Sequence, residues 1–217
     1  MSADAHGIEN KITKHYPYKL LWMTVLFLCT LFTYGVLAPT NKLFKDQSNP
    51  LLLNSGFTKA SEAELRVVLW FEVETPPVNL RTGLPQEGWE WKESFRNTSN
   101  GSAYTLSGYT IIQSEEEKEL YPWFQKLSKQ VKELGGVVYL DEKVSEGIDI
   151  ANYSVQQGIN PIQWSLSEST ISVAGQMKEL YPMVRAGGDF VNIQVISQAN
   201  AGKGKTAVAI PVLLEEF

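Results

Sequence analysis

Cysteine occurs once in the 217 residues and histidine twice, and all three lie near the N-terminus, at His6, His15 and Cys29. Everything after residue 29 is therefore without a disulfide, a thiol nucleophile or a thiolate metal ligand. A Ser-His-Asp triad, a Cys-His pair, an imidazole-bound zinc and a histidine proton shuttle are excluded there on the same ground. Basic charge is also scarce. The formal net charge is −5, and beyond residue 38 sixteen Lys and Arg face twenty-two Asp and Glu. No basic stripe is present, so nucleic acid is not an expected partner. Disorder is not the expectation either, because 43% of the residues are hydrophobic and six Trp are spread along the chain.

Charge is wholly absent from Leu20 to Ala38, inside "KLLWMTVLFLCTLFTYGVLAPT". At helical rise these nineteen residues match the thickness of the hydrocarbon layer. Thr24, Thr30 and Thr33 can return their hydroxyls to the helix backbone, and Tyr16, Tyr18, Trp22 and Tyr34 sit where interfacial aromatics are common. The run reads as a transmembrane helix. A cleaved signal peptide ending at Val36-Leu37-Ala38 is the competing reading; the long segment before the run and Pro39 directly after the cut count against it. Lys11, Lys14 and Lys19 precede the run, Lys42 and Lys45 follow it, and a long C-terminal domain behind one anchor is normally translocated. The expected layout is a cytosolic tail over 1–19, a membrane helix over 20–38, a juxtamembrane spacer over 39–63 and an extracytosolic domain over 64–217. A cysteine-free exported domain suits a bacterial inner membrane facing the periplasm. Sequons at Asn97, Asn100 and Asn152 point instead to a secretory route, although turn-forming Asn, Ser, Thr and Gly generate such triplets by chance.

Within the outer part, "PTNKLFKDQSNPLLLNSGFTKA" reads as a spacer broken at Asn49-Pro50 and Ser55-Gly56. The β-branched and aromatic "ELRVVLWFEVE" predicts a strand from Leu65 to Glu74, closed by Pro76-Pro77. "GWEWKESFR" and "AYTLSGYTII" predict two strands joined by a turn, with Trp89, Trp91 and Phe95 on one face of the first. In "SEEEKELYPWFQKLSKQVKELGG", Leu120, Phe124, Leu127, Val131 and Leu134 recur at spacings of four and three, which predicts a helix. Ser114 with Glu117 has capping-box spacing, Gly135-Gly136 is a stop, and Pro122 either kinks the helix or marks its start. A strand, "GVVYLDEKV", follows.

"KELYP" occurs at 118–122 and again at 178–182, with Thr-Ile eight residues before each copy and a Gly-Gly pair after each. This predicts two strand-helix-strand repeats, over 104–144 and 164–214, the second with a shorter helix. Residues 150–163 hold too many turn formers for an element and read as their connector. Two such units pack as one antiparallel sheet with both helices on one face, a ferredoxin-like arrangement. The expected fold class is α+β.

"ANAGKGKT" at 199–206 fits a relaxed P-loop pattern. A P-loop needs a helix after its glycine-rich turn, so that backbone amides converge on phosphate. Here "AVAIPVLLEEF" follows, a β-like run interrupted by Pro211, so the stretch predicts a hairpin turn and no nucleotide. The acidic "SEEEKE" at 114–119 could hold calcium, but a first helical turn facing its own dipole accounts for it. No cofactor and no metal are expected.

Trp123 on the helix, Trp164 in the connector, and Trp89 and Trp91 are candidate partner-contact residues, because Trp is enriched where proteins meet. The sequence predicts a non-catalytic single-pass component of a membrane or envelope complex, docking to other subunits or to itself. The alternative is an envelope carbohydrate binder or a carboxylate-dependent glycan hydrolase using Trp89 and Trp91. In order of parts (inner tail, one helix, small α+β outer domain) the chain resembles the assembly-platform proteins of type II secretion and type IV pili. The likeness is one of architecture alone and lacks the long coiled coil that follows the membrane helix in those families.

Overall fold

The computed structural model describes residues 49–217 except 79, 99–100, 179, 199–203 and 215–216. The apolar run over 20–38, the tail before it and residues 39–48 of the expected spacer lie outside the described residues. Among the described residues no helix is long and apolar enough to cross a membrane.

The chain order is β1 (Glu62–Phe71), β2 (Glu90–Thr98), β3 (Gly101–Gln113), α1 (Ser114–Glu133), β4 (Val137–Val144), α2 (Ile150–Gln157) and β5 (Asn160–Ser167). It continues with β6 (Thr170–Gln176), β7 (Val184–Ala186), β8 (Asp189–Val191), β9 (Ile193–Gln198) and β10 (Lys205–Ile210). Eight strands make one sheet in the order β2-β3-β1-β4-β10-β9-β6-β5, while β7 and β8 form a separate hairpin. Every neighbouring pair in the large sheet is antiparallel. The fold class is thus α+β, an eight-stranded antiparallel sheet with two helices among the described residues.

Period-two patterning decides which face meets the helices. Leu65, Val67, Leu69 and Phe71 of β1 belong to the same buried cluster as Val138 and Leu140 of β4, Val195 of β9 and Val208 of β10. Leu120, Phe124, Leu127 and Val131 of α1 and Ile150 and Tyr153 of α2 join that cluster, so both helices cover one face. β1 begins three residues before its expected start, because Ala63 pairs with Ile112 and faces the core. It stops at Phe71, where its register partner on β3 is Tyr104.

Helix α1 runs unbroken through the exposed Pro122. The capping register is one residue earlier than the sequence suggests: the Gln113 N–H donates to Glu116 at 2.7 Å. Ser114 instead donates its hydroxyl to Asn54 (3.0 Å), and Glu117 turns into the core. At the far end Gly135 takes φ +80°, and the N–H groups of Gly135 and Gly136 return to Lys132 and Val131, both at 2.9 Å. This double return is a Schellman stop.

Three expectations need correction. The connector over 150–163 contains helix α2 and the first half of strand β5, which runs on to Ser167. Its turn formers are the punctuation of that helix, since Asp149 accepts from the Asn152 N–H at 3.1 Å and Gly158 closes the helix at φ +68°. Trp164 accordingly sits in a strand. Second, the described residues of the later "KELYP" form no helix. Its flanking backbone is taken by buried Asn192, which accepts from Met177 N–H (2.7 Å) and donates to the carbonyls of Met177 (2.7 Å) and Leu180 (3.0 Å). Only the first copy has the acidic turn and cap that start a helix. Third, Leu51, Leu52 and Leu53 are buried core residues, so the supposed spacer enters the domain.

The last strand, β10, is inserted between β4 and β9 and joins the two halves of the sheet. After Pro211 the chain turns back over the face opposite the helices. Leu213 N–H donates to Gln194 (3.0 Å), and the Lys205 ammonium lies 4.3 Å from the centre of the Phe217 ring. Ala207 and Ala209, whose side chains point away from the helix face that Val208 joins, are both buried.

Candidate functional site

Three of the four candidate tryptophans converge. Register pairs Trp91 with Gly108, and a Cβ on Gly108 would stand 2.7 Å from the Trp91 ring and 2.9 Å from Trp89. Glycine there lets both indoles lie against the sheet. Trp89 and Trp91 stack with centroids 5.3 Å apart and planes at 14°, and Trp123 of α1 closes on Trp89 at 5.6 Å. Two of the indole N–H groups are already engaged: Trp91 donates to the Pro85 carbonyl (2.7 Å) and Trp123 to that of Gly83 (3.4 Å). Trp91 and Trp123 thus hold the 83–85 loop, and Trp89 and Trp123 line a shallow cleft of about 400 Å³ with Leu84, Leu120 and the carboxylates Glu116 and Glu119. All three tryptophans are half-buried. The cleft is mainly a packing seam; two faces of the stacked pair are spent on each other.

Trp164 lies elsewhere, on β5, the last strand of the sheet. It is 55% exposed, and Leu166, on the same face, is 75% exposed. The two edges of the sheet differ in chemistry. β2 carries Glu90, Lys92, Glu93 and Arg96, whereas "NPIQWSLS" of β5 carries no charge. Charge is one of the devices that stop an edge strand from pairing with foreign chains; at β5 such protection is confined to Pro161 and the register shift between Pro161 and Gln163, near one end.

The P-loop-like stretch connects two antiparallel neighbours, β9 and β10, so a strand stands where a nucleotide site needs a helix. Thr206, the residue a P-loop would offer to magnesium, is buried. Its hydroxyl bonds Ser197 (2.9 Å) and the Glu146 carbonyl (2.7 Å).

One constellation escaped the sequence reading. Glu142 faces the helices from the middle of β4, and Glu117 faces it from α1; both are fully buried. Leu52 N–H donates to Glu142 Oε2 at 2.5 Å. Leu53 N–H (2.7 Å), Asn54 N–H (2.9 Å) and the Asn54 amide (2.5 Å) all donate to Glu117. Beside them the buried Tyr153 hydroxyl donates to the Pro50 carbonyl. Burial foremost, then the Glu117 carboxyl, pushes the Glu142 carboxyl well above its ordinary range. Burial, then Glu142 and Glu117, raises the Tyr153 phenol in the same way. The signals were present in the sequence: Glu142 occupies an inward position of the alternation Val138, Leu140, Glu142, Val144, and Glu117 extends the inward stripe of Leu120 and Phe124. An acidic residue in a core register marks a buried polar cluster.

No protein-family model matches this chain, and no curated protein matches it.

Proposed function

We propose that residues 49–217 are the docking domain of a non-catalytic, single-pass membrane protein, and that strand β5 is where an extended segment of another envelope subunit adds to the sheet. In this reading the run 20–38 spans the bacterial inner membrane, the tail before it is cytosolic and the domain faces the periplasm. The observation that carries the proposal is the contrast between the sheet edges. β5 offers eight uncharged residues with Trp164 and Leu166 exposed on one face, while β2 is studded with charge. An edge strand presents a row of unpaired backbone donors and acceptors, and strand addition satisfies them. Alternate side chains supply specificity. The fitting partner is a strand with apolar residues at alternate positions, to cover Ile162, Trp164 and Leu166.

The enzyme alternative finds less support. A glycan hydrolase needs a carboxylic acid with raised proton affinity within reach of substrate. Glu142 has the raised affinity, but it is fully buried and bonded to the backbone of residue 52. A glycan binder would use the Trp89–Trp123 cleft, where the Trp123 N–H already serves the loop.

The test is gentle solubilisation of the full chain followed by identification of what co-purifies. Leu166→Lys is expected to shed a stoichiometric membrane partner while shifting stability by no more than about 0.5 kcal/mol, as for other exposed sites. Phe95→Lys on β2 is expected to retain it. A partner held equally by both variants would refute the β5 assignment, and a partner-free protein carrying glycan would favour the cleft.

A further inference from the structure

The segment Asn49–Asn54 is held by two acidic side chains in a way that commits it to a proton. Leu51, Leu52 and Leu53 are buried in the core, and the backbone N–H groups of residues 52, 53 and 54 end on Glu142 and Glu117. Glu142 Oε2 accepts from Leu52, whereas its buried Oε1 has no donor of its own. The consecutive N–H groups of Leu52 and Leu53 end on Glu142 and on Glu117, so the two fully buried carboxyl groups lie side by side. Two carboxylates there would offer only acceptors and like charges, so burial favours one proton held by the pair. That proton turns an orphaned acceptor into a donor and removes one of two like charges from a site without water contact.

We propose that the Glu117–Glu142 pair is a proton-dependent latch: with one shared proton it clasps Asn49–Asn54, and loss of that proton releases this strap from the core before the sheet unfolds.

The charges that face the latch are few. From α2, Tyr153 presents its phenol, already donating to Pro50. From β1 and β10, register sets Leu65 and Val208 beside Glu142, both apolar. The strap itself contributes no ionisable side chain among Asn49–Asn54. No cation among these neighbours therefore compensates a second negative charge. After the proton leaves, the pair lowers its energy by meeting water, and the strap is what separates it from water. Release also frees the Pro50 carbonyl from Tyr153. Further along, Glu146 holds Thr58 Oγ1 (2.5 Å) and Lys59 N–H (2.6 Å). The Thr58 hydrogen bond, then that from Lys59, lowers the Glu146 carboxyl, so this second hold weakens toward acid and the latch toward alkali. The sign for the latch follows from linkage. The docked state keeps a proton that the released state gives up above the ordinary carboxyl range, so docking weakens as pH rises, up to tenfold per pH unit, until the docked pair itself ionises.

The test is hydrogen exchange on the full chain in detergent micelles between pH 6 and pH 10, with rates corrected for intrinsic pH dependence. Protection at residues 51–56 is expected to fall by up to tenfold per unit and to lie below that of β4 throughout. Glu142→Gln is expected to keep the protection at pH 6 and flatten the slope; Glu117→Gln is the second variant should the first fail to fold. A flat profile in the wild-type chain would overturn the proposal without any variant. So would a slope unchanged by either substitution, or strap and β4 exchanging at the same rate at every pH, since opening would then be global.

Discussion

Removing residues up to Asn54 is the sharpest test of where the domain begins. Leu51, Leu52 and Leu53 are 1%, 0% and 7% exposed. At about 1.5–3 kcal/mol for each buried leucine, their loss costs roughly 5–9 kcal/mol, a figure that an extended reference chain makes an upper estimate. The same deletion strips Glu142 of its Leu52 donor, Glu117 of three donors and Tyr153 of the Pro50 acceptor. Buried polar groups left unsatisfied cost about 1–3 kcal/mol each. Domains of this kind are stable by roughly 5–15 kcal/mol, so the deletion consumes most or all of the stability. Two chains decide the matter, one starting at residue 46 and one at residue 55, followed by urea unfolding with tryptophan fluorescence and far-ultraviolet circular dichroism. The longer chain is expected to unfold in one cooperative transition, and the shorter to show none or one at a much lower midpoint. Equal midpoints would refute the placement of 51–53 in the core and return the segment to the role of a tether.

Gly136→Ala should destabilise by about 1–3 kcal/mol through overpacking, because the added Cβ stands 2.4 Å from the Phe71 ring; an unchanged denaturation midpoint would contradict that contact. Trp123→Ala should cost about 2 kcal/mol, less than full burial would bring, and should increase proteolysis at the 83–85 loop; intact loop protection would show that Trp123 does not support it. Melting temperatures from pH 5 to 9 should decline, because the folded chain holds the Glu142 proton where the unfolded chain has lost it. The limiting slope is about 1.4 kcal/mol per unit; a rise across that interval would reverse the sign argued here.

Elements with strong local patterning were legible. The β2–β3 hairpin and α1 announce themselves through turn-flanked aromatics and a 3.6-residue apolar stripe, and their pairing and Gly-Gly stop follow. Helix α2 was not, because it is short and its stripe amounts to Ile150, Tyr153 and Ser154; its caps, Asp149 and Gly158, look like loop residues until the helix between them is seen. The repeated "KELYP" misled for a related reason. Five identical residues do not carry a helix without the acidic cap that precedes the first copy, and Asn192, from the strand side, takes the backbone groups of the second. Burial of Leu51–Leu53 is a tertiary fact with no local periodicity behind it. Of the aromatic candidates, the convergence of Trp89, Trp91 and Trp123 depends on a helix crossing a hairpin, which pattern alone does not fix, while the exposure of Trp164 depends on β5 being last in the sheet.

The central position of β10 bears on how the chain is made. As the polypeptide emerges, β1 to β4 can zip together, and β5, β6 and β9 can do the same. Each half then ends in a bare margin, at β4 and at β9, one strand apart. Only the arrival of residues 205–210 closes that gap, pairing Thr206 with Val144 across a long stretch of sequence. A chain cut short before residue 205 would therefore carry two sticky seams and be poised to aggregate.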